Sequence, residues 1–161
     1  MHDENMPLVV KRSQIVDVKA GNSVKIVEPV NLYGCVLGDS VEVGPFTEIQ
    51  SEVVIGDRTK IQSHTFICSL VRVGNDCFIG HGVMFVNDLL RGGPARQDKS
   101  KWLATSIGDR VSIGSNSTLL PVQICDDVVI GAGSVVTRDI LEPGTYAGNP
   151  AQKVKKREAI D

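Results

Sequence analysis

The sequence lacks both a large net charge and a long apolar run. Its 161 residues include 17 Lys and Arg and 19 Asp and Glu, for a formal charge of -2. No uninterrupted apolar stretch approaches the roughly 20 residues that cross a bilayer, and the opening MHDENMPLVV is acidic where a signal peptide is basic. We therefore expect no nucleic-acid partner, no membrane partner, and a soluble cytoplasmic protein.

Cysteine occurs only four times and never in the C-x-x-C spacing of a zinc knuckle. Each cysteine lies within a β-like run, and the four are Cys35, Cys68, Cys77 and Cys125. This spacing favours neither a metal site nor a disulfide framework, so we expect reduced thiols that mostly belong to the core. The length requires no second domain, and we predict one domain over residues 1–161.

The main feature of the sequence is a six-residue repeat. A branched aliphatic residue or Phe recurs at every sixth position, at Leu37, Val43, Ile49, Ile55, Ile61, Ile67, Val73, Ile79 and Phe85. Small or β-branched residues usually fill the fifth place, and the unit resumes at Ile107 and Ile124. A period of six fits neither a helix nor a plain alternating strand, but it fits a short strand followed by a corner.

This repeat resembles the hexapeptide-repeat proteins. The resemblance implies an all-β fold, a left-handed parallel β-helix with triangular coils over about residues 24–150. In that fold residues 18 apart stack on successive coils, about 4.8 Å apart. The spacing then brings His64 and His81 to one corner on adjacent coils, and it places Asn87 above Ser69.

The repeat fails between Phe85 and Ile107, in a segment that contains four basic residues and the only tryptophan. We predict a loop expelled from the coils over about residues 87–106. Long loops inside a regular architecture are more often functional than idle. Basic residues here, Arg91 among them, suit an anionic ligand such as a nucleotide diphosphate.

The C-terminal part carries a second pattern. IGAGSVVTRDI and the later Gly148-Asn149-Pro150-Ala151, followed by Lys153, resemble the segment that closes the coil in hexapeptide acyltransferases. The resemblance implies acetyl-CoA as co-substrate, no metal, and a cofactor site made of Gly131, Ala132, Gly133, Ser134, Gly148, Asn149, Pro150, Ala151 and Lys153. We also expect a short charged helix over about residues 151–161.

The predicted histidine corner suits acyl transfer, because imidazole titrates near neutral pH and can accept a proton. The backbone N–H groups of Gly80 and Gly82 are candidate donors to the carbonyl oxygen of a thioester. Both expectations depend on the corner being open to a substrate.

Three segments resemble one group of enzymes within the hexapeptide-repeat proteins. PFTEIQ, IGDRTKIQSHTFIC and FIGHGVMFVNDL are similar to sugar-nucleotide N-acetyltransferases, which acetylate an amino group on a UDP- or dTDP-linked sugar. The similarity implies His64 and His81 as catalytic residues, although several relatives have Asn at the position of His64. It also implies a nucleotide-linked amino sugar as substrate, bound by Asn87, Asp88 and Arg91.

Other functions remain open at this stage. The repeat alone predicts a fold and not a reaction, so a scaffold without activity is one alternative. An acetyltransferase that acts on a hydroxyl group instead of an amine is another. γ-Class carbonic anhydrases share the repeat and bind zinc through three histidines, two in an H-x-x-x-x-H segment, but here Val86 stands five places after His81. Family members form trimers, and the outward apolar residues Phe66, Phe78 and Met84 also favour a homotrimer.

Overall fold

The chain forms a parallel β-solenoid. A computed structural model describes residues 14–90 and 98–154, which form 21 short strands and one 3₁₀ turn at Lys99–Lys101. Consecutive strands fall on three successive sheets, and the first sheet has seven strands, one for each of about seven coils. The predicted all-β parallel architecture is confirmed, while its left-handed winding stays a prediction. Within residues 14–90 and 98–154, no helix has the length and apolar character of a membrane span.

The strands are distributed over three faces. The first face contains β1 (Ile15–Val16), β4 (Asn31–Tyr33), β7 (Glu48–Ile49), β10 (Phe66–Ile67), β13 (Met84–Phe85), β16 (Thr118–Leu119) and β19 (Val135–Val136). The second contains β2 (Lys19–Ala20), β5 (Val36–Leu37), β8 (Val54–Ile55), β11 (Val71–Val73), β14 (Thr105–Ile107) and β17 (Gln123–Ile124). The third contains β3 (Lys25–Ile26), β6 (Glu42–Val43), β9 (Lys60–Ile61), β12 (Phe78–Ile79), β15 (Ser112–Ile113), β18 (Val128–Ile130), β20 (Gly144–Ala147) and β21 (Gln152–Lys153).

The core is built from the two inward positions of each repeat. The nine aliphatic or Phe positions from Leu37 to Phe85 are all buried, and so are the small residues in the fifth places from Val41 to Val83. Cys35, Cys68 and Cys77 belong to this core, and burial raises the pKa of the Cys35 and Cys68 thiols to about 11. All four cysteines are free thiols, which agrees with a packing role.

The corner between the second and third faces is stabilised by a ladder of short polar side chains. Asp57 accepts a hydrogen bond from the N–H of Asp39 at 2.9 Å, and Asn75 accepts one from the N–H of Asp57 at 2.8 Å. Asp109 continues the ladder by accepting from the N–H of Asn75 at 2.8 Å. These turn N–H groups therefore have partners within the chain, as backbone donors usually require.

A sixteen-residue insertion lies where the repeat fails. Residues on β8 and β11 pair 18 positions apart, as in Arg72 with Val54, whereas β11 and β14 pair 34 positions apart, as in Val71 with Thr105. The difference is the insertion, and it leaves the solenoid at the corner between the first and second faces. Residues 91–97 lie outside the described residues, so the predicted protrusion of the loop stays a prediction.

Both ends of the solenoid differ from expectation. The coils begin at Ile15, earlier than the predicted residue 24, because β1 and β2 pair with β4 and β5 although their own side chains are exposed. The helix predicted from Ala151 does not begin there: Gln152–Lys153 pair antiparallel with β20, and the N–H of Val154 donates to the carbonyl of Thr145. Residues 155–161 lie outside the described residues.

The inward row is expected to carry most of the stability. Ile107 is buried and its neighbour on β14, Ser106, is exposed. Replacing Ile107 by alanine leaves a cavity between coils and should lower the free energy of unfolding by about 2–5 kcal/mol, against about 0.5 kcal/mol or less for Ser106→Ala. Urea unfolding at one protein concentration measures both. Equal midpoints for the two variants would contradict the packing model.

Candidate active site

The two histidines lie in the turns that connect the third face to the first. The pairing of Phe66 with Met84 sets the register of these turns, so Ser63 stacks with His81 and His64 stacks with Gly82. Both imidazoles are exposed. The structure thus places the histidines on one corner and on adjacent coils, as the 18-residue spacing predicts. We call this row of turns the histidine corner.

Each imidazole has its own partner. The Nδ1 atom of His81 lies 2.9 Å from the hydroxyl oxygen of Ser63. When Nδ1–H donates to this oxygen, the lone pair of Nε2 is exposed and can accept a proton. His64 instead stacks on Phe46, with 4.9 Å between ring centroids, and its φ of 62° lies in the left-handed region.

The predicted donors to a carbonyl oxygen are wrong. The N–H of Gly80 donates to the carbonyl of Ile113 at 2.8 Å, and the N–H of Gly82 donates to the carbonyl of Ser63 at 3.0 Å. A Cβ atom on Gly80 would lie 2.7 Å from the Ile113 carbonyl oxygen, so this glycine permits the close approach of two coils. Both amides join coils and are unavailable to a ligand.

Other backbone donors on this edge are available. In residues 14–90 and 98–154, the N–H groups of His81, Ser115 and Ala132 have no hydrogen-bond partner. They stand at the middle of successive turns. At the corner between the second and third faces, the N–H groups in the same position donate to the ladder of Asp and Asn side chains. The edge from His81 to Ala132 therefore presents a row of unpaired donors, and it spans two coil spacings, about 10 Å.

The predicted cofactor residues meet at the C-terminal end of the same edge. Gly131, Ala132 and Gly133 form the last turn of the histidine corner, and the N–H of Gly148 donates to the hydroxyl of Ser134 at 3.1 Å. Ser134 is fully buried and its hydroxyl donates to the carbonyl of Gly131, so its side chain holds the turn together. The two glycine segments that the sequence suggested are thus adjacent.

Lys153 ends this surface. Its Nζ lies 2.9 Å from a carboxylate oxygen of Glu142 and 5.9 Å from the ring centroid of Tyr146. The hydrogen bond to Glu142 raises the pKa of Lys153. Asn149 and Pro150 are exposed in the preceding turn. An anionic group bound here would therefore compete with Glu142 for the ammonium.

Asn87 and Asp88 line a cavity at the far end of β13. The cavity has a volume of about 430 Å³ and lies between the first face and the base of the insertion. Its walls include Gln50, Phe66, Cys68, Asn87, Asp88 and Trp102. We call it the insertion cavity. Arg91, the third predicted substrate residue, lies outside the described residues.

The insertion cavity offers hydrogen-bond acceptors. Asn87 donates from Nδ2 to the carbonyl of Ser69 at 3.2 Å, which agrees with the predicted stacking of these two residues. Asp88 accepts the N–H of Leu90 on one oxygen at 2.7 Å. Within the part of the chain that the structure describes, Oδ1 of Asn87 and Oδ2 of Asp88 have no partner. Two acceptor oxygens are therefore available to a ligand.

A polar network on the preceding coils supports Asn87. Gln50 accepts the N–H of Ser69 at 3.3 Å and donates to Glu48 at 3.0 Å, and Glu48 also accepts from Asn31 at 3.1 Å. Burial, together with the nearby Glu48 carboxylate, raises the pKa of Tyr33. The network links three coils and holds the Ser69 segment to which Asn87, on the next coil, is bonded.

The histidine corner and the insertion cavity are separate within one chain. His81 precedes β13 and Asn87 follows it, so they stand at opposite ends of the first face, and neither histidine lines the insertion cavity. One chain alone does not bring Asn87 and Asp88 to the histidines. In the described part of the chain, no group of three or more His, Cys, Asp or Glu side chains could hold a metal ion, and His2 lies outside it.

Comparisons with known proteins agree with the repeat. Residues 34–69 match the family model "Bacterial transferase hexapeptide (six repeats)", and residues 104–138 match "Hexapeptide repeat of succinyl-transferase". Both models describe hexapeptide-repeat transferases, and these two segments of the chain are similar to that family. Both matched segments lie in the solenoid, one on each side of the insertion.

The bifunctional protein GlmU of Thermotoga petrophila is 33% identical over 155 residues, covering 89% of the chain. The chain spans only 34% of the length of that relative. Among solved structures, AntD, an N-acyltransferase from Bacillus cereus in complex with dTDP and coenzyme A, superposes with a TM-score of 0.72 at 22% identity, covering 91% of the chain and 86% of AntD. Perosamine N-acetyltransferase from Caulobacter crescentus, in complex with CoA and GDP-perosamine, superposes with a TM-score of 0.61 at 22% identity. The match covers 89% of the chain and 58% of that enzyme. These two likenesses establish the fold.

Some site residues of this hexapeptide-repeat chain escaped the sequence analysis. The 18-residue spacing does pair Ser63 with His81 and Gln50 with Cys68, but it gives no role to either polar residue. Trp102 carries no periodic signal, because it lies on the returning arm of the insertion. The hydrogen bond from Leu103 N–H to the Asn87 carbonyl, at 2.9 Å, holds that arm beside the cavity.

Proposed function

We propose that this protein is an acetyl-CoA-dependent acetyltransferase that acetylates the amino group of a nucleotide-linked amino sugar. The observation that carries the proposal is a pair of oxygens in the insertion cavity, on Asn87 and Asp88, that have no partner among residues 14–90 and 98–154. An amide oxygen and a carboxylate are suitable partners for a protonated amine. The similarity to hexapeptide-repeat transferases and the N-acyltransferases of the same fold support the reaction class.

Acetyl-CoA is proposed to lie along the edge that carries the histidine corner. The unpaired N–H groups of Ser115 and Ala132 suit the amide carbonyls of the pantetheine arm. The adenosine end then lies near Gly148 and Lys153, and the thioester reaches His81. Relatives of the same fold were solved with coenzyme A, which supports this cofactor.

In the proposed reaction, the ammonium held by Asn87 and Asp88 first releases one proton to solvent. Nε2 of His81 then accepts a second proton as the amine nitrogen attacks the thioester carbonyl. The carbon–sulfur bond then breaks, and the CoA thiolate takes the proton from the imidazolium. The products are an amide and free CoA thiol, and His81 is regenerated. Ser63 holds Nδ1, which leaves Nε2 for this exchange.

A homotrimer is proposed because the two halves of the site are separate in one chain. Phe78 and Met84 lie on the two faces that meet at the histidine corner and are 40% and 43% exposed, so both faces offer apolar side chains for an interface. Packing these faces between copies would bring the histidine corner of one chain to the insertion cavity of the next.

A thiol-release assay with acetyl-CoA and a panel of UDP-, dTDP- and GDP-linked amino sugars tests the proposal. We expect CoA release with at least one member, and a product heavier by one acetyl group in mass spectrometry. Matching sugars with a hydroxyl in place of the amine serve as controls. Binding of CoA without turnover on any member would support a scaffold and overturn the proposal.

A further inference from the structure

We propose that Trp102 is the platform on which the sugar ring of the acceptor stacks, an inference that rests on the function proposed above. No periodic pattern selects this residue, and it is the only tryptophan of the chain. Its side chain lines the insertion cavity together with Phe66, Asn87 and Asp88. The cavity therefore combines an aromatic wall with two acceptor oxygens.

Trp102 is held in place by its own segment. Its N–H donates to the carbonyl of Lys99 at 3.2 Å, and the Lys99 ammonium lies 5.5 Å from the centroid of the indole ring. The 3₁₀ turn before it is capped by Asp98, which accepts from the N–H of Ser100 at 3.2 Å. The indole is thus held beside a cation in a short capped turn, at the wall of the insertion cavity.

An amino-pyranose matches these walls. A pyranose ring has a C–H face, which packs on aromatic rings such as Trp102 and Phe66, and a polar edge, which here meets Asn87 and Asp88. The volume of about 430 Å³ lies within the range of small-molecule sites. The diphosphate would then leave the cavity toward Lys99, so the sugar and not the whole nucleotide fills it.

A pyrimidine base fits the cavity less well. Uracil and thymine present two carbonyl acceptors and one imide donor at their edge. The side-chain amides at the cavity already donate elsewhere, Gln50 to Glu48 and Asn87 to Ser69. Each of these amides keeps its second N–H, but the single imide donor of a base could satisfy only one of the two acceptor oxygens of Asn87 and Asp88, whereas an ammonium could donate to both.

Intrinsic fluorescence tests the inference directly, because Trp102 is the only indole. Each amino-sugar nucleotide of the panel is titrated into the protein in parallel with its free nucleoside diphosphate. We expect a saturable change in emission with at least one amino-sugar nucleotide and none with the matching diphosphate at the same concentration. An equal change with the diphosphate would assign the ring to base stacking and overturn the proposal.

Kinetics of variants provide the second arm. Trp102→Ala should raise the acceptor KM about tenfold and leave the KM of acetyl-CoA unchanged, whereas Trp102→Phe should stay within about threefold. Leu103→Ala, at the exposed next residue, is the matched control. An unchanged acceptor KM in Trp102→Ala would overturn the proposal.

The two proposals can fail separately. If no panel member turns over, acetyl transfer fails while the emission titration still decides the role of Trp102. If turnover occurs without any emission change, the acetyl-transfer proposal survives and the platform is overturned. If neither turnover nor an emission change is seen, both proposals fail.

Discussion

Replacing both His81 and His64 by alanine is expected to lower kcat by about 10² to 10⁴ while CoA binding persists. General-base catalysis typically contributes this much, and the cofactor edge beyond Ser115 does not depend on either imidazole. His81 should account for most of the loss, because only its Nδ1 is held by a neighbouring hydroxyl, that of Ser63, at 2.9 Å. Steady-state kinetics with the best acceptor, and calorimetry with CoA, measure the two quantities.

Two further variants separate chemistry from folding. His64 has a φ of 62°, where alanine is strained but asparagine is tolerated, so His64→Asn should keep more stability and lose less than tenfold in kcat. Ser63→Ala frees Nδ1 of His81 and should lower kcat less than His81→Ala does. If the double alanine variant retains nearly wild-type activity with CoA binding intact, the histidine corner has no catalytic role.

The solenoid was predictable from the sequence because its inward positions obey one geometric rule. Each coil buries the same two positions of every repeat. The spacing of Ile49, Ile67 and Phe85 therefore predicts both the strands and the way they stack. At two places in the sequence the spacing shortens to five residues, Leu32 to Leu37 and Leu119 to Ile124, and in the structure these steps give pairings 17 positions apart instead of 18. The repeat even located the histidine corner, because stacking converts spacing into proximity.

The features that could not be predicted from the sequence depend on contacts between residues that do not follow the six-residue repeat. The Glu48–Gln50–Ser69 network joins side chains whose polarity looks like ordinary solvation in the sequence. Trp102 reaches the insertion cavity only through the path of an insertion. The error over Gly80 had another cause, since a glycine N–H looks unoccupied in a sequence although parallel coils need it as a donor to the next coil.

The C-terminal error shows how tertiary pairing overrides composition. The charged segment that follows the Pro143-Gly144 turn suggested a helix from Ala151, but the end of a solenoid exposes a strand edge that can accept one more partner. Tyr146 pairs with Lys153 along that edge, and the ion pair of Lys153 with Glu142 supports the extended conformation. Propensity summed over a few residues does not outweigh this pairing.

The arrangement of half-sites can be tested by mixing two inactive variants. Under the trimer proposal, each site takes its base from His81 of one chain and its acceptor pocket from Asn87 of the next. His81→Ala and Asn87→Ala trimers should then each be nearly inactive, because every interface lacks one half. Mixed trimers contain interfaces at which an intact corner faces an intact cavity.

Co-expression of His81→Ala and Asn87→Ala chains in equal amounts is expected to restore about one quarter of wild-type activity, because random assembly makes about one interface in four complete. Chains carrying different affinity tags allow mixed trimers to be isolated, and light scattering checks their mass. A matched co-expression of His81→Ala with the His81→Ala plus Asn87→Ala double variant should restore nothing, since no chain then supplies the base. Complementation would mean that the histidine corner and the insertion cavity act together across chains. Its absence in verified mixed trimers would mean that each chain works alone, and the acceptor would then have to bind along the first face, within reach of the chain's own His81.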